Sequence, residues 1–255
     1  MANSVNTNYG ANIALQSLNA TNKSLAMTQN RVSTGQAVSS AKDNGAIFAI
    51  ATNQRAEMAA QGAVKQSLQR GQSIVDVALA AGETVVAALT EMKSLAVAIE
   101  AGGSSATTTA LQADYDALQT EIDSALAGAN FDGENLWTAS ASVITDTSAS
   151  TFTVGMASPA DATPSDTTAA AVQTALESFT ADMATLGSQS KSLDRQVTFA
   201  GKMEDALEAG IGNLVDADLA KESAKLTALQ TKQQLGVQAL SIANSSSQIL
   251  LSLFR

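Results

Sequence analysis

Apolar residues recur along much of this chain at alternating spacings of four and three, the 3.5-residue repeat that a coiled-coil seam requires. The cleanest run starts at Val64 and passes through Leu68, Gly71, Val75, Ala78, Gly82, Val85, Leu89, Met92, Ala96 and Ile99 without one polar residue. Apolar residues and the 16 glycines together fill about half of the 255 positions. Eleven consecutive hits then arise by chance on the order of once in a few hundred such chains over seven frames. The run predicts one long helix with a single apolar seam. Gly71, Ala78 and Gly82 lower helix propensity within it, and their small size predicts close approach by a neighbouring backbone.

A shorter seam reads Leu111, Tyr115, Leu118, Ile122, Ala125, Ala129. It is separated from the first by Gly102-Gly103-Ser104-Ser105, which has the composition of a helix-to-helix loop and predicts two antiparallel helices. A third runs Val172, Leu176, Phe179, Met183, Leu186, Ser190, Leu193, Val197, Ala200, Glu204, Leu207, Ile211, with Ser190 and Glu204 as its polar intrusions. At 1.5 Å per residue it predicts a helix about 60 Å long.

Both ends repeat the pattern in diluted form. The front reads Ala11, Leu15, Leu18, Asn22, Leu25, Gln29, Val32. The back reads Val215, Leu219, Glu222, Leu226, Leu229, Gln233, Gly236, Leu240, Ala243, Ser247, Leu250, Phe254, with Leu253 beside its last anchor. Isolated helices have little stability in water, so these seams predict ends that gain order when partners cover them.

Between Asn130 and Thr168 the helical period disappears. Asp132-Gly133 marks a turn, and both prolines, Pro159 and Pro164, fall here. Phe152, Val154 and Met156 alternate with Thr153 and Gly155, the period-two pattern of a half-buried strand, and Val143-Ile144 is a candidate partner. The expected fold is mainly α, with long antiparallel coiled-coil helices from both chain ends and a small β-hairpin in the middle. The expected division is 1–42 with 213–255, then 43–130 with 166–212, and an insertion at 131–165.

Composition narrows the function. Aromatic residues are only 4% of the chain, too few for the core of a large compact enzyme. With no Cys and no His, thiolate and imidazole chemistry is absent, so most catalytic and metal-binding constellations are excluded. A net charge of −10 with 14 Lys and Arg argues against a nucleic-acid partner. The Asn-rich, amphipathic start lacks the basic and apolar regions of a secretory leader, and no membrane span is expected. Gly201-Lys202 and Gly210-Ile211-Gly212 lack phosphate-loop spacing, and no cofactor is implied. The carboxylate pairs Asp114/Asp116 and Asp216/Asp218 read as solvated faces and caps, Asp216 favouring the start of a C-terminal helix.

Two blocks carry a specific resemblance. Arg31 to Asn53 reads RVSTGQAVSSAKDNGAIFAIATN, and Asn213 to Arg255 reads NLVDADLAKESAKLTALQTKQQLGVQALSIANSSSQILLSLFR. Both closely resemble the terminal blocks of bacterial flagellins, particularly alphaproteobacterial ones. Val5-Asn6-Thr7-Asn8, Ser67 to Ser73 (SLQRGQS) and Asn130 to Leu136 (NFDGENL) add to the match, which covers about two thirds of the chain.

The resemblance implies an extracellular helical homopolymer, with paralogous flagellins as further partners. Its terminal helices would form the inner tubes, and the segments Gln61 to Ala129 and Ala169 to Gly210 the outer tube. It further implies unfolded, uncleaved export through the flagellar apparatus, a C-terminal chaperone, and contacts with filament cap and hook-junction proteins. It assigns the connection between inner and outer tubes to Arg31, Gly35, Ala41, Lys42, Asp43 and Ile50. Many flagellins carry a Gln-Arg pair in a stretch that a vertebrate innate immune receptor recognises. Here the stretch is Leu89-Thr90-Glu91-Met92-Lys93-Ser94-Leu95, so Thr90 and Glu91, with Leu95, predict altered recognition. Ser148, Ser150, Thr151 and Thr163 are candidate glycosylation sites, with a plain polar loop as the alternative. Two other readings of the repeat are a hook-filament junction protein and an intracellular scaffold. The short middle predicts a filament without large outer domains.

Overall fold

A computed structural model describes residues 8–156 and 162–253, with side chains described as far as residue 245. Its elements in chain order are α1 (Tyr9–Thr34), α2 (Gly45–Glu100), α3 (Ser105–Gly128), β1 (Ala141–Ile144), β2 (Thr151–Val154), α4 (Ala169–Val215) and α5 (Leu219–Leu253). The chain divides into two compact units, one of Met1–Arg55 with Leu207–Arg255 and one of Ala56–Ala206. The hairpin segment belongs to the second unit.

In the second unit the long seam is the core. Val64, Leu68, Val75, Val85, Leu89, Met92 and Ala96 are buried against Tyr115 and Ile122 of α3 and Val172, Phe179, Leu186 and Leu193 of α4. Ile99 and Leu176 pack against its edge. Three pairings fix the direction of α4 on α2: Lys93 donates to Gln173, Gly82 abuts Met183, and Lys65 pairs with Glu204 at 3.3 Å. Sequence numbers rise on one helix as they fall on the other, so the two are antiparallel. Glu204, a polar intrusion in the seam, is held by that ion pair at the bundle's edge. Ser104 caps α3, its hydroxyl accepting from Thr107 N at 3.2 Å. Only four residues separate the end of α2 from the start of α3, and yet α3 brings Ala117 and Leu118 beside Leu95, so it folds back antiparallel to α2.

Helix α2 is long and apolar enough to cross a membrane by length and composition, with a mean hydropathy of 1.6 over 18 residues. The apolarity follows from packing, because the long seam faces the interior of the bundle.

The small residues of α2 receive side chains rather than a neighbouring backbone. A methyl group on Gly71 would overlap Val143 of β1, and one on Gly82 would overlap Met183 and lie 3.1 Å from Trp137. The two expected strands meet as an antiparallel hairpin, β1 and β2, in which Val143 pairs with Phe152 and Ile144 with Thr151. Ser67 Oγ accepts from Ile144 N at 3.0 Å and ties the hairpin to α2. Trp137 stacks on Phe179 with centroids 4.4 Å apart and donates from Nε1 to the Ala78 carbonyl at 3.0 Å. Gln189 of α4 clamps the end of β2 by donating to Gly155 O and accepting from Gly155 N, each at 2.8 Å. Gly155 sits at φ +114°, a backbone conformation that disfavours side chains.

Candidate functional site

The first unit is built on α1 and α5, and its pairings are antiparallel. Asn8 Nδ2 donates to Ala243 O at 2.8 Å, Gln233 to Asn22 Oδ1 at 2.8 Å, and Arg31 to Glu222 at 3.2 Å. Small residues draw the helices together: a methyl group at Gly236 would lie 3.2 Å from Leu18. Along α5, Leu226, Leu229, Gln233, Gly236, Leu240 and Ala243 are half-buried, following the expected seam.

Two leucines of that seam stay open in the single chain. Leu15 and Leu219 are 46% and 49% exposed, outside the closed surface of the pair. On α1 the positions turned inward are Ala11, Leu18, Leu25 and Val32 of the expected stripe, but they alternate with Ala14, Thr21 and Thr28. Thr21 and Thr28 are the buried residues of this helix. Thr21 Oγ1 donates to the Ser17 carbonyl at 2.9 Å, which satisfies the hydroxyl and leaves the methyl free to pack. Threonine reads as polar in a hydrophobicity count, so Leu15 drew the stripe one residue out of frame. Leu250 and Leu253 fall outside the described side chains, and Phe254 outside the described residues.

Closing the pair leaves a second apolar surface. Tyr9, Ile13, Leu15 and Met27 on α1 are exposed, as are Leu219, Leu235, Val237 and Ile242 on α5. Among the described residues, α5 has none fully buried. Apolar side chains on both flanks of a pair that satisfies few of them form a surface complementary to other apolar helices.

The connector from α1 to α2 is held by hydrogen bonds around a buried Val38. Gly35 ends α1 in the left-handed conformation at φ +72°. Its carbonyl accepts from Ala217 N at 2.9 Å, and Val215 O accepts from Ala37 N at 2.7 Å and Val38 N at 3.3 Å. Asp43 closes the next turn: Oδ2 accepts from the backbone N and hydroxyl of both Ser39 and Ser40, at 3.0 to 3.2 Å. The Ser40 hydroxyl is the largest influence lowering its pKa, with the backbone N–H groups and Ser39 adding to it against the cost of burial. Ala41 and Lys42 are exposed at the turn. Asn44 starts α2, its Oδ1 accepting from Ala46 N and Ile47 N. Ile50 lies beyond the turn, within α2, and is 49% exposed.

Arg31 and Glu222 form the charged node of this unit, with Lys225 3.9 Å from the second carboxylate oxygen. Arg31 Nε and Glu222 Oε2 are buried without hydrogen-bond partners. The start of α5 is capped by Asp218, whose Oδ1 accepts from Lys221 N at 3.1 Å, and not by Asp216. Asp216 pairs instead with Gln36 across the connector.

On the second unit Thr90 and Glu91 are exposed and Leu95 is half-buried beside α3. Ser148, Ser150 and Thr151 are exposed around the hairpin tip, and Thr163 is half-buried. Asp146 Oδ1 orders the tip by accepting from Ser148 N and Ser150 N at 2.9 Å. Trp137, Thr21, Thr28 and Gln189 escape a reading based on apolar period. Trp137 alone carried a signal, as the single tryptophan just past the NFDGE turn.

Residues 5–142 match the family model described as the bacterial flagellin N-terminal helical region, and residues 169–254 match the C-terminal helical region. The chain belongs to the flagellin family. It is 51% identical to flagellin FljM of Caulobacter vibrioides over 99% of both chains. It is 39% identical to a flagellin of Brucella melitensis and 32% identical to flagellin C of Rhizobium meliloti, again over 99% of each chain. Full-length similarity to flagellins removes support from the junction-protein reading. A flagellin is a structural subunit that self-polymerises into the bacterial flagellar filament used for motility, and this chain is one.

Proposed function

We propose that the paired terminal helices are the polymerisation element of this flagellin, forming the innermost layer of an extracellular filament. The observation that supports this is the apolar surface left outside the α1–α5 pair, from Ile13 and Met27 to Leu235, Val237 and Ile242. These groups gain burial only when other copies cover them, so ordering entropy is offset when many contacts form together and growth follows a template. Head-to-tail contacts that do not close then build a helical polymer.

The same reading makes the protein a non-enzyme. Delivery is by unfolded export through the flagellar apparatus, with a chaperone on the C-terminal segment, a cap at the growing end and a junction protein at the hook. Arg31, Gly35, Ala41, Lys42 and Asp43 join the inner and outer layers. Glu91 places a negative charge on the exposed face of α2, and this reversal weakens recognition by the innate immune receptor. Sugars, where the source organism adds them, go to Ser148, Ser150 and Thr151 ahead of Thr163, because the first three are exposed.

The test is seeded growth watched by electron microscopy. Full-length protein extends seeds into long tubes. Protein lacking Gln248 to Arg255 remains monomeric with only the helical signal of the deleted residues lost, and protein carrying Ile13→Ser with Val237→Ser remains monomeric with an unchanged helical spectrum. Normal tubes from both variants would refute the assignment.

A further inference from the structure

The second unit carries two unpartnered surfaces of opposite character. On α4, Arg195, Phe199, Lys202, Met203 and Ala206 are all exposed, Phe199 at 61%. Their spacing puts them on one stripe with no carboxylate among them. Arg195 and Lys202 form no ion pair among the described residues. An exposed phenylalanine between two unpaired cations on a chain of net charge −10 calls for an acidic, apolar-floored partner.

Such a surface lies on the same unit. Between α2 and α3 is a shallow groove lined by Glu91, Leu95, Asp114, Ala117, Leu118 and Glu121. Its floor is half-buried Leu95 and Leu118, and its walls are three exposed carboxylates. Helix α3 has four acidic residues and no basic one.

The two surfaces match in spacing and direction. Arg195 and Lys202 are seven residues apart, as are Asp114 and Glu121, so both pairs span about 10 Å of helix. Phe199 stands between the cations as Leu118 stands between the carboxylates. Both α3 and α4 run antiparallel to α2, so copies in the same orientation bring stripe and groove together as parallel helices.

We propose that the α4 stripe of one subunit docks in the α2–α3 groove of a second copy, forming a lateral contact of the filament. This rests on the filament reading above. Patch and groove are different surfaces, so every copy offers one and receives one, and the contact propagates without closing. The pairings along α2 put Phe199 level with roughly residue 68 and Leu118 level with Leu95. Copies joined this way are therefore displaced along the helix axis by about 40 Å.

Charge exchange tests the assignment on the full-length chain. Two variants are made, Arg195→Glu with Lys202→Glu and Asp114→Lys with Glu121→Lys, and elongation from seeds is followed by light scattering and microscopy. Each variant alone elongates about tenfold or more slowly than the parent. An equimolar mixture recovers growth, because each reversed surface then meets its complement on the other variant. Circular dichroism and denaturant midpoints establish that the monomers fold. Parental chain that fails to elongate would overturn the filament reading. Parental elongation with undiminished growth of either variant alone, or with no recovery in the mixture, would overturn this contact only.

Discussion

The α2–α3–α4 bundle and the α1–α5 pair are written in the same seven-residue repeat, yet they bury it differently. In the bundle, ten of the eleven predicted seam positions on α2 are fully buried, and Phe179, Leu186 and Leu193 face them from α4. In the terminal pair, the described part of α5 buries no residue fully and α1 buries two threonines. Helical period therefore identifies a seam, whereas the fraction of apolar residues within it decides whether one chain closes it. A seam that carries Thr21, Thr28, Glu222 and Gln233 closes only in part, and the apolar residues outside it are left for other copies.

The sharpest way to break that contrast is to truncate both seams equally. Phe179→Ala removes a fully buried ring that also supports Trp137, and it costs about 3 to 5 kcal/mol of bundle stability in guanidinium unfolding. Leu226→Ala, half-buried in the terminal pair, costs about 1 kcal/mol in the monomer while stopping seeded growth. Equal monomer losses from the two changes would erase the distinction.

Filling the close approaches gives the next effect. Gly71→Ala forces a methyl group into Val143 and destabilises by about 1 to 3 kcal/mol despite the gain in helix propensity. Val143→Ala makes the room and recovers part of that loss, so the double variant is more stable than the two separate losses add up to. Simple additivity would show that the hairpin does not rest on Gly71. Smaller again is Trp137→Phe, which keeps an aromatic ring against Phe179 but removes the donor to Ala78 O, for about 1 kcal/mol by the same measurement.

How far the chain could be read follows the same division. The long seam, the α2–α3 loop and the existence of the hairpin were legible because each rests on a local period or on turn residues with one dominant reading. The α1 stripe was misread because Thr21 hides its hydroxyl in a backbone bond and then packs as an apolar group. Trp137 and Gln189 depend on residues that meet only after folding, Trp137 across 59 positions to Ala78 and Gln189 across 34 to Gly155. No local pattern encodes such meetings. The connector was assigned through family resemblance, and its physics lies in Asp43, whose four serine donors follow from a turn that the period could not show.

That turn supplies the smallest prediction, and one that compares the two units directly. Asp43 in the connector and Asp146 at the hairpin tip are each held by two serines, and both carboxyls are lowered from the ordinary value of 3.8. The largest cause is a serine hydroxyl in each case, Ser40 for Asp43 and Ser150 for Asp146. A lowered folded pKa means that the native state binds the proton less readily than the unfolded chain. The stabilisation is then fully present above the ordinary value and is lost as pH falls through the lowered one. Asp43→Asn therefore differs most from the parent at neutral pH, and the gap narrows below about pH 4. Amide exchange at Ser39 and Ser40 reads it locally, with faster exchange in the variant at neutral pH and convergence in acid. Asp146→Asn does the same at Ser148 and Ser150 without altering the connector. A gap at Ser39 and Ser40 that stays constant with pH would show that the turn is held by its backbone rather than by the Asp43 charge.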